Sequence, residues 1–177
     1  YENVVSNILK FFLDDTEEHG LKDLWFKSLL AINDETLTSQ NICIEREVCT
    51  ANGNRIDLLI TSDEYIVCIE NKIFAEVAND LLDYWDYTKS KNIDQKKKEI
   101  YLILSLKPVQ FKEKDLFKNI TYVQLFSEVK KNIGEYLESC NNTWLLYMKD
   151  FMTTIENLDG GLMMVDKKFE KIYRECY

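Results

Sequence analysis

The period of the apolar residues changes several times along this chain, and each change predicts an element. Between residues 3 and 13, Val4, Ile8, Phe11 and Phe12 recur at helical spacing, and Asp14-Asp15 and Glu17-Glu18 break the run. A second helix is predicted over 19–32 from Leu21, Leu24, Trp25, Phe26, Leu29 and Leu30. From 41 to 50 the period falls to two, with Ile42, Ile44 and Val48 on one side, which predicts a strand. Ala51-Asn52-Gly53-Asn54 then reads as a hairpin turn into Arg55-Ile56-Asp57-Leu58-Leu59-Ile60. Thr61-Ser62-Asp63-Glu64 turns the chain again into a third run ending at Val67-Cys68-Ile69-Glu70-Asn71-Lys72. A helix follows over 76–90 (Val77, Leu81, Tyr84, Trp85, Thr88), then a fully apolar strand over 99–106 closed by Pro108. A short strand over 120–125, a helix over 127–137 with Ser127 as its N-cap, and a helix over 143–158 ended by Asp159-Gly160-Gly161 complete the pattern, with a last helical segment from about 165. Helices, a three-strand meander, a crossover helix and two further strands predict an α/β domain with a mixed central sheet of about five strands flanked by helices.

Two of these strands carry charge where a core strand would not. If they form a hairpin about Asp63-Glu64, Ser62 opposes Tyr65, Thr61 opposes Ile66, Leu59 opposes Cys68, Asp57 opposes Glu70 and Arg55 opposes Lys72. Alternation then sets Arg55, Asp57, Glu70 and Lys72 on one face. Like charges directly opposed across a sheet repel, so a paired Asp57 and Glu70 require a cation between them or a shared proton. A solvent-facing surface pair is the competing reading. It is disfavoured by the surroundings: Ile56, Leu58, Ile60, Val67 and Ile69 are expected to build one buried face, while Leu59, Ile66 and Cys68 make the charged face apolar too. Two such carboxylates suit a hard cation, Mg²⁺ or Mn²⁺, and Lys72 beside them is placed to orient a water or to stabilise charge on a phosphate.

Composition sharpens the picture at three points. The 177 residues, 46% of them hydrophobic, with ten Tyr, nine Phe and three Trp, are enough for one domain with a real core. Five cysteines without a C-x-x-C pair, and a single histidine, argue against zinc and against a disulfide framework. Cys43, Cys49 and Cys68 read as small buried hydrophobes, and the expected location is the reducing cytoplasm. No apolar run reaches the roughly 18 residues of a membrane span, and no leader pattern is visible. The net charge of −9 opposes attraction to a polyanion, and the cations gather in two stretches, Lys89 to Lys98 and Lys107 to Lys118. His19, before Gly20, reads as a capping or packed residue and stays outside the catalytic set.

Asp57 followed by Glu70-Asn71-Lys72 resembles the D…(D/E)-x-K signature of the PD-(D/E)xK nuclease superfamily, with Ile56 in place of the nominal proline. The likeness extends to Arg55-Ile56-Asp57-Leu58-Leu59-Ile60, to Ile69-Glu70-Asn71-Lys72-Ile73 with Ala75, and upstream to Leu13-Asp14-Asp15, His19-Gly20-Leu21, Leu24-Trp25-Phe26 and Leu29-Leu30, covering about residues 1–106. The resemblance implies a restriction-endonuclease-like core, one nuclease-like domain over residues 1–177, and metal-dependent hydrolysis of phosphodiester bonds, of DNA in the first instance. It implies Asp57, Glu70 and Lys72 as catalytic residues, with Asp57, Glu70 and the carbonyl of Asn71 holding Mg²⁺ or Mn²⁺. Glu47 sits where such proteins carry a glutamate on the preceding strand; Arg55 would balance the carboxylates, and Glu2 is a further acidic candidate. The helix after the third strand departs from the pattern: it reads Asp80-Leu81-Leu82-Asp83-Tyr84, without the usual Gln and Arg. That departure and the acidic charge support the alternative, a nuclease-like domain without catalysis that binds nucleic acid or protein. For an active enzyme they imply that a partner chain or a homodimer completes the substrate contacts.

Overall fold

The three central strands of the pattern form the antiparallel half of one sheet. β1 (Cys43–Cys49) pairs with β2 (Arg55–Thr61), and β2 with β3 (Tyr65–Lys72). The other half is parallel: β3 pairs with β4 (Lys98–Ser105) and β4 with β5 (Lys118–Thr121), so the five strands lie in chain order. Parallel neighbours need a crossover. The helix α3 (Leu81–Lys91) makes the first, and the 106–117 loop makes the second. The computed structural model describes residues 2–38, 41–74, 77, 79–93 and 96–175, with side chains as far as residue 158.

Helices cover the two faces unequally. On one side α1 (Glu2–Leu13), α2 (Leu24–Ala31), α4 (Tyr122–Asn132) and α5 (Asn142–Glu175) pack against Leu58, Ile60, Val67, Ile69, Leu102 and Leu104. Aromatic rings tie these helices together: Phe12 stacks on Trp25 at 5.3 Å, and Phe126 meets Phe151 edge-on at 5.8 Å. The other face carries Leu59, Ile66, Cys68, Tyr101, Ile103 and Phe117 and is covered by α3 with Val109 and Phe111 of the 106–117 loop. β3, central and covered on both sides, is buried at all eight positions.

Several boundaries differ from the pattern reading. The 19–32 helix is shortened to α2, because residues 14–22 form a turn held by His19: its Nδ1 accepts the Leu21 N–H at 2.8 Å and its Nε2 bonds the Asp14 carbonyl at 2.9 Å. Gly20 lies in that turn at φ 71°, and a Cβ there would fall 2.1 Å from the Ser139 carbonyl oxygen, so only glycine fits. The 76–90 helix begins later, at Leu81, where Asp80 caps the Asp83 N–H. The 120–125 strand and the Ser127 cap are replaced by a strand ending at Thr121 and a helix starting at Tyr122. Thr121 and Gln124 form a reciprocal capping box there, a signal legible as Thr-x-x-Gln. The helix expected to stop at Asp159-Gly160-Gly161 continues to Glu175 as α5. A glycine weakens a helix by about 1 kcal/mol but keeps both its backbone hydrogen-bonding groups, so the pair does not force an end. Ile56 packs with Leu59, Ile66 and Cys68 rather than with Leu58 and Ile60. Cys43 and Cys49 are exposed, since β1 is the edge strand and its outer positions meet solvent; Cys68 alone of the three is buried.

Candidate active site

The site lies where the antiparallel and parallel halves of the sheet meet. The hairpin register is the expected one, Thr61 opposite Ile66 and Leu59 opposite Cys68, and pairing ends at Leu58 opposite Ile69. One step further the strands no longer pair through their backbones. Instead the Asp57 carboxylate accepts the Asn71 N–H at 2.7 Å. Asp57 thus serves as a side-chain continuation of the ladder, and this holds it beside Glu70 and Lys72.

Glu70 is fully buried and Lys72 is 7% exposed. The Lys72 ammonium lies 2.6 Å from Glu70 Oε1. The same oxygen accepts from Asn79 Nδ2 at 2.7 Å, in the segment before α3. Glu70 Oε2, equally buried, has no hydrogen-bond partner among the described residues. Burial, and after it the charge of Asp57, push the Glu70 carboxyl up to about 8. Burial likewise raises Asp57, against the pull of the Asn71 N–H and Lys72, while the charges of Glu47 and Glu2 add to the rise. Burial works against the Lys72 ammonium, but Glu70, Glu2 and Asp57 together outweigh it and hold its pKa above the ordinary value. All three directions have one source: the site carries more negative charge than its surroundings solvate, and it retains protons in consequence.

The remaining candidates divide. Glu2, at the start of α1, is brought to the site: its Oε1 accepts the Ile73 N–H at 2.9 Å, just past Lys72. Glu47 is on β1 between Arg46, paired with Leu58, and Val48, paired with Ile56, but is itself unpaired and lies in the left-handed region at φ 51°. A left-handed glutamate in mid-strand is strained, and strain of this kind collects at functional sites. The Glu47 carboxylate meets Arg55 at 3.5 Å and Arg46 at 3.8 Å. Arg55 therefore neutralises Glu47 and does not stand opposite Lys72, because β2 and β3 are no longer paired there and Arg55 pairs with Cys49 instead. The Asn71 side chain turns to the opposite face, where Tyr122 donates to its Oδ1 at 2.6 Å and its Nδ2 donates to Ser6 at 2.9 Å. Asp80 is exposed and caps α3, outside the site.

Residues that the pattern did not single out complete the surroundings. Asn79 Nδ2 also donates to the Tyr84 hydroxyl at 2.8 Å, and Tyr84 donates to the Arg55 carbonyl at 2.5 Å. Asp83 accepts from Thr50, Asn52 and Asn54 at 2.5 to 2.7 Å and so ties α3 to the β1–β2 turn. The Asn-Asp pair before Leu81 was the available signal, since Asp80 is an N-cap residue and Asn79 stands just outside the helix. The lysine stretches are unequal too. β4 begins at Lys98, opposite Tyr65, roughly 23 Å along the strands from the Lys72 end. Lys98 pairs with Glu35 there, while Lys89 lies over Trp85 at 3.9 Å near the far end of α3. Only the 106–117 loop, which leaves β4 opposite Lys72, starts at the site end.

The donor set fits a hard divalent cation. The fit rests on the buried Glu70 Oε2, unpartnered among the described residues, beside the half-buried Asp57 carboxylate, since among those residues no three His, Cys, Asp or Glu side chains form a ready-made cage. A mixed five-stranded sheet between helices, with aspartate, glutamate and lysine at its central seam, is the architecture of restriction-endonuclease-like proteins. The family model of the PD-(D/E)XK nuclease superfamily matches residues 1–153, and the chain belongs to that superfamily. No curated protein and no solved structure matches it.

Proposed function

We propose that the protein is a metal-dependent nuclease that hydrolyses phosphodiester bonds of DNA. The observation that carries this reading is the Glu70 carboxylate, buried, bonded through Oε1 alone and left with Oε2 unclaimed beside Asp57. Asp57, Glu70 and the Asn71 carbonyl would hold Mg²⁺ or Mn²⁺. Such a cation, when bound, acidifies water and offsets the charge gathering on phosphate in the transition state. Lys72 is held charged next to these carboxylates, so it can orient the attacking water and bind a non-bridging phosphate oxygen. Glu2 and Glu47 add negative charge at the rim, and Arg55 partly neutralises Glu47.

The second reading, a binding module without catalysis, draws on the net charge of −9 and on the Asp80–Tyr84 segment. Incubating plasmid and single-stranded DNA with the protein and Mg²⁺ or Mn²⁺, beside Lys72→Ala and an EDTA control, separates the two. Cleavage that disappears in both controls supports the nuclease. DNA binding without cleavage under all conditions supports the module.

A further inference from the structure

We infer that Asn79 is a positioning residue that aims Glu70, a role resting on the metal-site reading above. Two donors, Lys72 and Asn79, converge on one oxygen of Glu70. A carboxylate presents two oxygens with about four lone-pair positions. When both neighbouring donors take Oε1, rotation about the terminal bond is fixed and Oε2 is the oxygen left to a ligand.

The amide is itself held at both ends. The Arg55 carbonyl can only accept, so the Tyr84 hydroxyl bonded to it must donate its proton there and accept from Asn79. That requirement sets the NH₂ group of Asn79, not its oxygen, toward Tyr84, and the second N–H of the same group then points at Glu70. The resulting chain runs from the Arg55 carbonyl through Tyr84 and Asn79 to Glu70. It begins two residues before Asp57 on β2 and ends on β3, so it spans the two strands whose backbone pairing stops at Leu58 and Ile69. Beyond the point where their backbones pair, the strands are thus coupled at the site both by the Asp57–Asn71 bond and, through Tyr84 of α3 and Asn79, by this second route.

α3 is suited to this task because its first turn is capped and because it is anchored once more, to the neighbouring β1–β2 turn. Asp80 caps its first turn, immediately after Asn79. Asp83 holds the β1–β2 turn through Thr50, Asn52 and Asn54. The acidic residues that depart from the family pattern thus fix the helix in place, and the amide that faces Glu70 comes from Asn79. On this account the altered Asp80–Tyr84 segment is compatible with a working cation site.

The test is Mn²⁺ binding followed by electron paramagnetic resonance for wild type, Asp57→Asn, Asn79→Ala, Asn79→Leu and Tyr84→Phe, with melting temperatures in EDTA and single-turnover cleavage alongside. Residues that orient a ligand change metal affinity about 10–100-fold when removed. Asn79→Ala is expected to weaken Mn²⁺ binding at least tenfold with little change in the metal-free melting temperature. In cleavage it should lower the rate at saturating DNA while leaving KM for DNA near wild type. Tyr84→Phe, which leaves the amide one anchor short, should show a smaller loss in the same direction. Should Asn79→Ala not fold, Asn79→Leu, of similar shape but without the donor or a new charge, carries the measurement. Wild-type affinity in Asn79→Ala or in Asn79→Leu overturns the inference and leaves the metal site standing. If wild type itself shows no binding that Asp57→Asn removes, the metal-site reading fails and the inference fails with it.

Discussion

Replacing Glu70 with glutamine tests the charge argument at its centre. Burial and Asp57 move the Glu70 carboxyl from 4.5 to about 8. A carboxyl raised in the folded state contributes stability that is fully present below its unfolded pKa and is lost as pH rises through the folded pKa. Between about pH 5 and pH 8 the unfolded chain releases this proton while the folded chain keeps it, at about 1.4 kcal/mol per pH unit. Allowing for partial ionisation at both ends of the window, the metal-free wild type should lose about 3 kcal/mol over that range. Glu70→Gln has no such proton and keeps an oxygen to accept from Asn79. Urea unfolding in EDTA at both pH values measures the gap between the two proteins. The gap should move by about 3 kcal/mol in favour of the glutamine variant as pH rises. Mn²⁺ added near pH 8 should restore the wild type and not the variant, and its uptake should release about half a proton there and nearly a whole one at pH 7, read by calorimetry in buffers of different ionisation enthalpy. A gap that stays constant with pH would show that burial and Asp57 do not hold the proton on Glu70, and the electrostatic case for a cation would fall.

Four further outcomes are expected. Gly20→Ala combines a left-handed backbone with a contact of 2.1 Å to the Ser139 carbonyl, so it should destabilise by about 3 kcal/mol or more in chemical denaturation; a loss under about 1 kcal/mol would mean that the turn can shift away. His19 is held neutral by burial, which lowers its pKa, so its stabilising effect is complete above about pH 6.5 and declines as pH falls through the lower folded value; as the single histidine it can be followed by NMR, where a folded pKa at or above 6.5 would contradict the assignment. Glu47→Gly relieves the left-handed strain and should raise the melting temperature while reducing metal-dependent cleavage, whereas unchanged cleavage would confine Glu47 to an ion pair with Arg46 and Arg55. Binding to a labelled duplex in Ca²⁺ should be weak with a shallow salt slope, because of the two lysine stretches only the 106–117 loop starts at the site end; nanomolar affinity at physiological salt would refute that distribution of charge.

Local pattern was enough for the order of strands and helices, because side-chain period reports which face of an element is buried. It was also enough for the hairpin register as far as Leu58 and Ile69, since the Thr61–Glu64 turn and the apolar alternation admit few pairings, and for the expectation that Asp57, Glu70 and Lys72 lie side by side, because their charges stood out in apolar strands. Tertiary structure alone decided how these charges are satisfied. Asp57 bonds the Asn71 backbone because β2 and β3 stop pairing at Leu58, a point that no residue in either strand announces. Arg55 turned out to serve Glu47, because β1 reaches it and β3 does not. Glu2 arrives from the far N-terminal end of the sequence, and Asn79 and Tyr84 from beyond the strand, all brought in by helices packing on opposite faces of the sheet. The physical reason is the range of the interactions. Hydrophobic periodicity is local and repeats, so one sequence displays it, whereas the partner of a buried polar group is a single atom whose position depends on how every intervening element packs.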